Sequence, residues 1–146
     1  MAQTSNKYTW CAASVLISTN CSDYTDISGW ANSVTWDGFD RMTGEAYTFD
    51  GDEPLVGFGP RTPGTVTVRI IFDDTTATTP LDDIIDSYEI ECGGDFCVRW
   101  KVHDGGDTYT TDTGAIVTPP YPQGEKADAD PTTVEFSVFT SGITTA

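Results

Sequence analysis

The stretch GEAYTFDGDEPLVGFGPRTPGTVTVRIIF, residues Gly44–Phe72, joins two segments of opposite character. In the second segment, Thr65–Phe72, apolar residues recur at alternate positions: Val66, Val68, Ile70 and Phe72. A period of two predicts a β-strand that buries one of its faces. This segment is therefore expected to be a core strand.

The first segment, Glu45–Arg61, is apolar and aromatic but is interrupted by glycine and proline. Such a segment cannot be a regular central strand throughout, so we interpret it as a protruding arm. The arm would carry five large apolar side chains: Tyr47, Phe49, Leu55, Val56 and Phe58. If they face water, this apolar patch predicts a binding partner. The alternative is a loop that folds back over its own core.

The composition indicates one mainly β domain over residues 1–146, because β-branched residues and glycine are frequent and only one segment has helical spacing. Seven basic and 23 acidic residues give a net charge of −16. This charge argues against a surface that binds nucleic acid by neutralising phosphates. It suits an acidic wall along which DNA slides without sticking, although solubility or a salt-rich environment would favour the same composition.

The sequence predicts a soluble chain that folds in a cytoplasm. Residues 1–6 are polar, with no secretory signal, and no run approaches the roughly 20 apolar residues of a membrane span. Cys11, Cys21, Cys92 and Cys97 do not have zinc-site spacing. Disulfides across the connections Cys92–Cys97 or Cys11–Cys21 are one interpretation, and small buried thiols are the one we favour for a reducing compartment.

The pattern along the chain predicts a β-sandwich or small β-barrel with one flanking α-helix and a long protruding loop. The helix spans residues 79–91, with Thr79 as N-cap and Pro80 at the first helical position. Its stripe of Leu81, Ile84, Ile85 and Tyr88 should pack on the sheet. The other expected strands or extended segments are Tyr8–Ile17, Thr25–Trp36 with a bend at Gly29, Phe96–Val102, Tyr109–Thr118 and, as the last, Thr133–Thr140; a turn is expected at Trp36–Gly38.

No residue pattern predicts catalysis, a metal site or a cofactor. The single histidine, His103, has no nucleophile motif nearby, and Asp50–Glu53 lacks the spacing of an EF-hand loop. Four tryptophans, Trp10, Trp30, Trp36 and Trp100, would suit a sugar-stacking platform if several faced solvent, although Trp100 is in phase with core residues. The alternative function is therefore a carbohydrate-binding or adhesive β-sandwich module.

Three segments carry a resemblance to a known family: DISGWANSVTW (Asp26–Trp36), TGEAYTFDGDEPLVGFGPRTPGTVTVRIIF (Thr43–Phe72), and TDTGAIVTPPYPQGEKADADPTTVEFSVFTSGIT (Thr111–Thr144) after the capped helix. They resemble the major tail tube protein of long-tailed, siphovirus-like bacteriophages. The resemblance implies a structural protein without membrane, metal or cofactor, which forms homohexameric rings that stack into a hollow tail tube. It also implies other tail proteins at the tube ends, DNA passage without specific binding, and assembly of the virion in the host cytoplasm.

In that family a loop between early strands, together with the chain termini, bridges subunits and rings. The loop corresponds here to Asp37–Arg61, which includes the apolar segment Glu45–Arg61 and is called the arm from here on. The N-terminal tail corresponds to residues 1–7. The residues expected to contact other copies are Tyr47, Phe49, Asp50, Asp52, Glu53, Leu55, Phe58 and Arg61. The cysteines depart from the family pattern.

Overall fold

The computed structural model describes residues 9–72, 80–127 and 129–146. These ranges contain eleven β-strands, one α-helix and a short 3-10 helix at Trp10–Ala12. The elements are β1 (Ser14–Ser18), β2 (Thr25–Asp26), β3 (Ala31–Gly38), β4 (Arg41–Ala46), β5 (Leu55–Arg61), β6 (Gly64–Ile71), α1 (Pro80–Glu89), β7 (Cys97–Lys101), β8 (Tyr109–Thr111), β9 (Ala115–Ile116), β10 (Thr133–Thr140) and β11 (Ile143–Thr145).

The strands form antiparallel pairs in three sheets. A five-stranded sheet has the order β11-β8-β7-β1-β2, and a four-stranded sheet has the order β3-β6-β10-β9. The third sheet is the separate pair β4-β5. The two larger sheets share one core cluster, so the predicted mainly β, sandwich-like fold with one helix is confirmed. Within the described residues no sheet closes into a barrel.

The core follows the alternation read from the sequence. On β6, Val66, Val68 and Ile70 are fully buried. They lie opposite Val138, Phe136 and Val134 of β10 in the strand register, and those three side chains are buried as well. The facing sheet contributes Val15, Ile17, Val98 and Trp100. Because both sheets bury one face against the other, the hydrophobic effect fixes the register of each central strand.

Helix α1 covers one part of this core. Leu81 and Ile84 are buried in the cluster, and Ile85 and Tyr88 pack against it, which confirms the predicted apolar stripe. Pro80 is the first helical residue, as predicted, while Thr79 lies outside the described residues. The helix ends at Glu89 rather than at residue 91, and Cys92 and Gly93, both with positive φ, carry the chain away from the helical path just after it. Within the described residues no helix is long and apolar enough to cross a membrane.

Three strand predictions need correction. The first strand begins at Ser14, because the Ala13 N–H donates to the Trp10 carbonyl and residues 10–12 form a 3-10 turn. Residues 109–118 do not form one strand or hairpin: β8 joins the five-stranded sheet and β9 the four-stranded sheet. Strand β10 has the predicted bounds but is not the last strand, since β11 follows it and pairs with β8.

The cysteine prediction is wrong. Cys21 and Cys97 form a disulfide, while Cys11 and Cys92 are exposed free thiols. The β1–β7 register places Ser18 beside Cys97, and the turn after β1, where Cys21 has a φ of 60°, returns the chain to that point. The bonded pair therefore depends on strand register rather than on closeness in sequence.

The base of the arm is set by two glycines that face each other at the ends of β3 and β6. Gly38, which has a φ of 92°, pairs with Gly64. A Cβ added to Gly64 would lie 2.3 Å from the Asp37 carbonyl oxygen and 2.9 Å from the Phe39 ring. The strands can approach this closely only because neither residue has a side chain.

We therefore expect Gly64→Ala to lower the free energy of unfolding by about 2–3 kcal/mol, because a backbone carbonyl cannot move aside as a flexible side chain would. Thermal unfolding measures the change. Gly44→Ala is the matched control on β4, since nothing lies within 4 Å of the Cβ it would add. Equal melting temperatures for Gly64→Ala and the parent protein would contradict this account of the arm's base.

Candidate assembly surface

The arm is a two-stranded hairpin that prolongs the β3–β6 pair beyond its glycine base. Strands β4 and β5 pair with each other and with no other described strand. Gly38 and Phe39 both have positive φ, so the chain bends at the end of the predicted Trp36–Gly38 turn, all three residues of which belong to β3. Phe39 packs against the core and meets Trp36 edge-on, with ring centroids 6.4 Å apart.

All eight predicted contact residues lie on this hairpin or its turn, and all eight are exposed. Two of their aromatic members are largely exposed to solvent, with Phe49 at 110% and Phe58 at 72% of the reference exposure. The alternative of a loop folded over its own core is thus wrong for this hairpin. The residues are Tyr47, Phe49, Asp50, Asp52, Glu53, Leu55, Phe58 and Arg61.

The sequence interpretation missed three residues of this surface. Met42 and Val56 are large, apolar and exposed on β4 and β5, and Arg41 lies directly opposite Arg61 in the strand register. The sequence analysis counted Val56 among the apolar side chains of the arm but did not predict it as a contact residue. Arg41 had no sequence signal, because its partner depends on the irregular register between Arg41 and Thr43.

The charged side chains of the arm form no ion pair with a described residue. An ion pair does form between Arg69 and Glu135, on the outer face of the four-stranded sheet. Arg41 donates to the Gly59 carbonyl oxygen at 3.1 Å, and the carboxylates of the arm form no ion pair with described residues. The arm thus combines exposed aromatic area with uncompensated charge, as interaction surfaces do.

The other candidate sites do not form a catalytic or metal-binding centre among the described residues. His103 is half-buried and its Nδ1 lies 2.9 Å from the Asp104 carbonyl oxygen. No group of three or more potential metal ligands occurs among the described residues. Trp100 is buried in the core as predicted and stacks on Tyr109 at 5.8 Å between ring centroids, whereas Trp10 and Trp36 are exposed.

A shallow groove of about 380 Å³ runs beside the Arg69–Glu135 pair and is lined mainly by polar side chains. At its edge the Tyr121 hydroxyl donates to a Glu89 carboxylate oxygen at 3.0 Å. This hydrogen bond raises the pKa of Tyr121 above its ordinary value. Tyr121 also meets Tyr88 edge-on, so the bond ties the proline-rich connector to α1 and serves packing.

Comparison with solved structures identifies the fold. The chain is similar to a structure described as the sheath/tube terminator of an extracellular contractile injection system (PVC) in the extended state, with 16% identity, 99% of each chain covered and a TM-score of 0.71. It is also similar to the PVC sheath–tube complex (13% identity, 97% and 93% covered, TM-score 0.66) and to the tube-terminating cap of the anti-feeding prophage (9% identity, 100% and 94% covered, TM-score 0.64).

These likenesses extend over the whole chain, so the fold is that of components of contractile injection particles. No protein-family model matches the sequence, and no curated protein is similar to it.

Proposed function

We propose that this chain is a structural subunit of a phage-tail-like tube, in which homohexameric rings stack into a hollow cylinder and the arm joins neighbouring copies. The observation that carries the proposal is the arm itself: an unsupported hairpin whose predicted contact residues are all exposed. A two-stranded hairpin alone is marginally stable in water. Contact with another copy would bury its aromatic side chains and support its strands.

The fold supports this role. Solved structures with the same fold are described as tube, tube-terminator and tube-cap components. A further one is described as an anti-feeding prophage baseplate, 6-fold symmetrised, and is similar with 8% identity and a TM-score of 0.61. That description supports a six-membered ring as the unit that stacks.

Strand β3 offers a second contact for ring formation. It is eight residues long and forms one edge of the four-stranded sheet. Within the described part of the chain, no strand pairs with its outer side. Such an edge presents free backbone groups to another chain. We propose that lateral pairing along β3 joins copies within a ring while the arm joins rings.

The charge supports passage of an anionic polymer through the tube. A net charge of −16 per copy would repel phosphates wherever acids face the lumen. We therefore propose an acidic lumen through which DNA moves without specific binding. From the sequence resemblance we also propose that the tube belongs to a siphovirus-like virion tail, assembled in the host cytoplasm with other tail proteins at the tube ends.

A tube terminator is the second candidate function. It is favoured by the TM-score of 0.71 and the 99% coverage against the PVC sheath/tube terminator structure. A terminator would share the fold and would form a ring, but it would cap a tube instead of polymerising without limit. A carbohydrate-binding module, the third possibility, would stay monomeric and bind glycans.

Sedimentation velocity over a wide range of protein concentration tests the proposal. A tube subunit is expected to form species of increasing size above a threshold concentration, because each added ring creates the surface for the next. A single discrete ring that never grows would favour the terminator. A monomer at every concentration would refute both assembly functions.

A further inference from the structure

The arm carries two arginines at its base and a group of acids in its turn, while its remaining acids, Asp37, Asp40 and Glu45, are also exposed. At the base, Arg41 and Arg61 face each other across β4 and β5, and we call them the root pair. In the turn beyond Ala46 lie Asp50, Asp52 and Glu53, which we call the tip acids. Every one of these side chains is exposed.

The root pair is unfavourable in an isolated subunit, because like charges directly opposite each other on paired strands repel. Arg41 has only the Gly59 carbonyl as a described hydrogen-bond partner, and Arg61 forms no ion pair with a described residue. Asp37 and Asp40 also lie at the base but form no ion pair with either arginine. Each guanidinium presents a planar fork of N–H donors that matches a carboxylate. The root pair is thus arranged to receive an anion from outside the chain.

The tip acids cannot supply that anion within the same chain. From Arg41 to Ala46 the strand rises about 16 Å, at roughly 3.3 Å per residue, and the tip acids lie farther along. The two charged ends of one arm are therefore held apart by its own strands. The same ends on two different copies are free to meet.

Each end also presents an aromatic side chain beside its charges. Phe49 precedes the tip acids, and Phe58 lies three residues before Arg61. Contact between a tip and a root would bury both rings and exclude water from the ion pairs, which strengthens them. The two ends are thus complementary in charge and alike in apolar character.

From this complementarity we infer that the arm tip of one copy docks on the arm root of the next copy, with the tip acids facing the root pair. The inference rests on the proposed tube function and adds the partner surface and its direction. A contact of tip to root joins two different patches of the surface. Two copies therefore cannot satisfy both patches between them, and the contact can repeat from copy to copy along the stack.

Charge reversal provides the test. Arg41→Glu/Arg61→Glu replaces the root pair with acids, and Asp50→Lys/Asp52→Lys/Glu53→Lys replaces the tip acids with bases. Each variant alone should raise the concentration at which polymer appears by more than about tenfold, since like charges then meet at every joint. An equal mixture of the two should polymerise, because each tip then finds an opposite root.

Matched controls separate this contact from general charge effects. Lys101→Glu/Lys126→Glu changes the net charge as much as the root reversal and should leave polymerisation near the wild-type concentration. Reversing the exposed helix acids, Asp82→Lys/Asp83→Lys/Asp86→Lys, should not rescue the root variant when the two are mixed. Rescue by the helix variant would overturn the inference and assign the root pair to α1 of another copy.

The outcomes also distinguish this inference from the proposed function. Wild-type protein that never polymerises would refute the tube function itself. Wild-type polymer together with unimpaired polymerisation of either reversed variant would overturn the tip-to-root contact alone. Failure of the equal mixture, with both variants folded by circular dichroism, would overturn it as well.

Discussion

Phe49→Asp is expected to produce a folded subunit that does not polymerise. Phe49 lies at the tip of the arm and is fully exposed, so its removal costs the isolated subunit almost nothing. In the assembled tube its burial would contribute about 1.5–3 kcal/mol at each joint, and a carboxylate in the same place would have to be desolvated. The concentration at which polymer forms should rise by more than about tenfold.

Two controls isolate the role of the ring. Phe49→Leu removes the aromatic ring but keeps an apolar side chain, and it should retain most of the polymerisation. Thr48→Asp is the control for charge, because it adds the same charge one residue away and leaves the aromatic ring in place. Phe58→Asp, at the other end of the arm, should behave like Phe49→Asp. Light scattering and circular dichroism together report polymer and fold. Normal tubes from Phe49→Asp would remove the arm tip from the assembly contact.

The second large effect concerns the disulfide between Cys21 and Cys97, which closes a loop with a sequence separation of 76. Linking residues this far apart restricts the unfolded chain and contributes about 4 kcal/mol in the loop-entropy model. Cys21→Ser is therefore expected to lower the melting temperature by about 10 °C. Reduction with dithiothreitol should lower the parent protein's melting temperature similarly and leave that of Cys21→Ser unchanged.

The exposed thiols provide the matched controls for that measurement. Cys11→Ser and Cys92→Ser alter cysteines outside the bond and should melt within about 2 °C of the parent protein, since exposed substitutions have small effects. A parent protein whose melting temperature does not respond to reduction would contradict the stabilising role of the disulfide.

Because disulfides persist in oxidising surroundings, we expect the bond in particles outside a cell and free thiols in a reducing cytoplasm.

Local sequence patterns were sufficient for the central sheets and the helix. Val66, Val68 and Ile70 alternate on β6, and the proline at position 80 begins α1, because burial on one face and the geometry of a helix start are imposed within a few residues. For the arm, the interruption of an apolar segment by glycine and proline left two possibilities open, an exposed arm or a loop folded over its own core. These features require no knowledge of which strands become neighbours.

The features that were predicted wrongly or missed depend on contacts between residues that are far apart in the sequence. The partner of Cys97 follows from the β1–β7 pairing and from the turn at Cys21, and neither is visible in local spacing. Strand β11 has three residues and is stabilised by pairing with β8, so its sequence carries no alternation long enough to detect. Arg41 could be assigned to the candidate surface only from the strand register of the arm, which places it opposite Arg61.

Electron microscopy of the purified protein over a range of concentrations tests the central claim most directly. We predict long hollow tubes built from a regular repeat of stacked rings, and we predict that Phe49→Asp yields none at the same concentrations. Uniform monomers of the parent protein at high concentration, at every salt concentration tried, would contradict the proposal that this chain is a tube subunit.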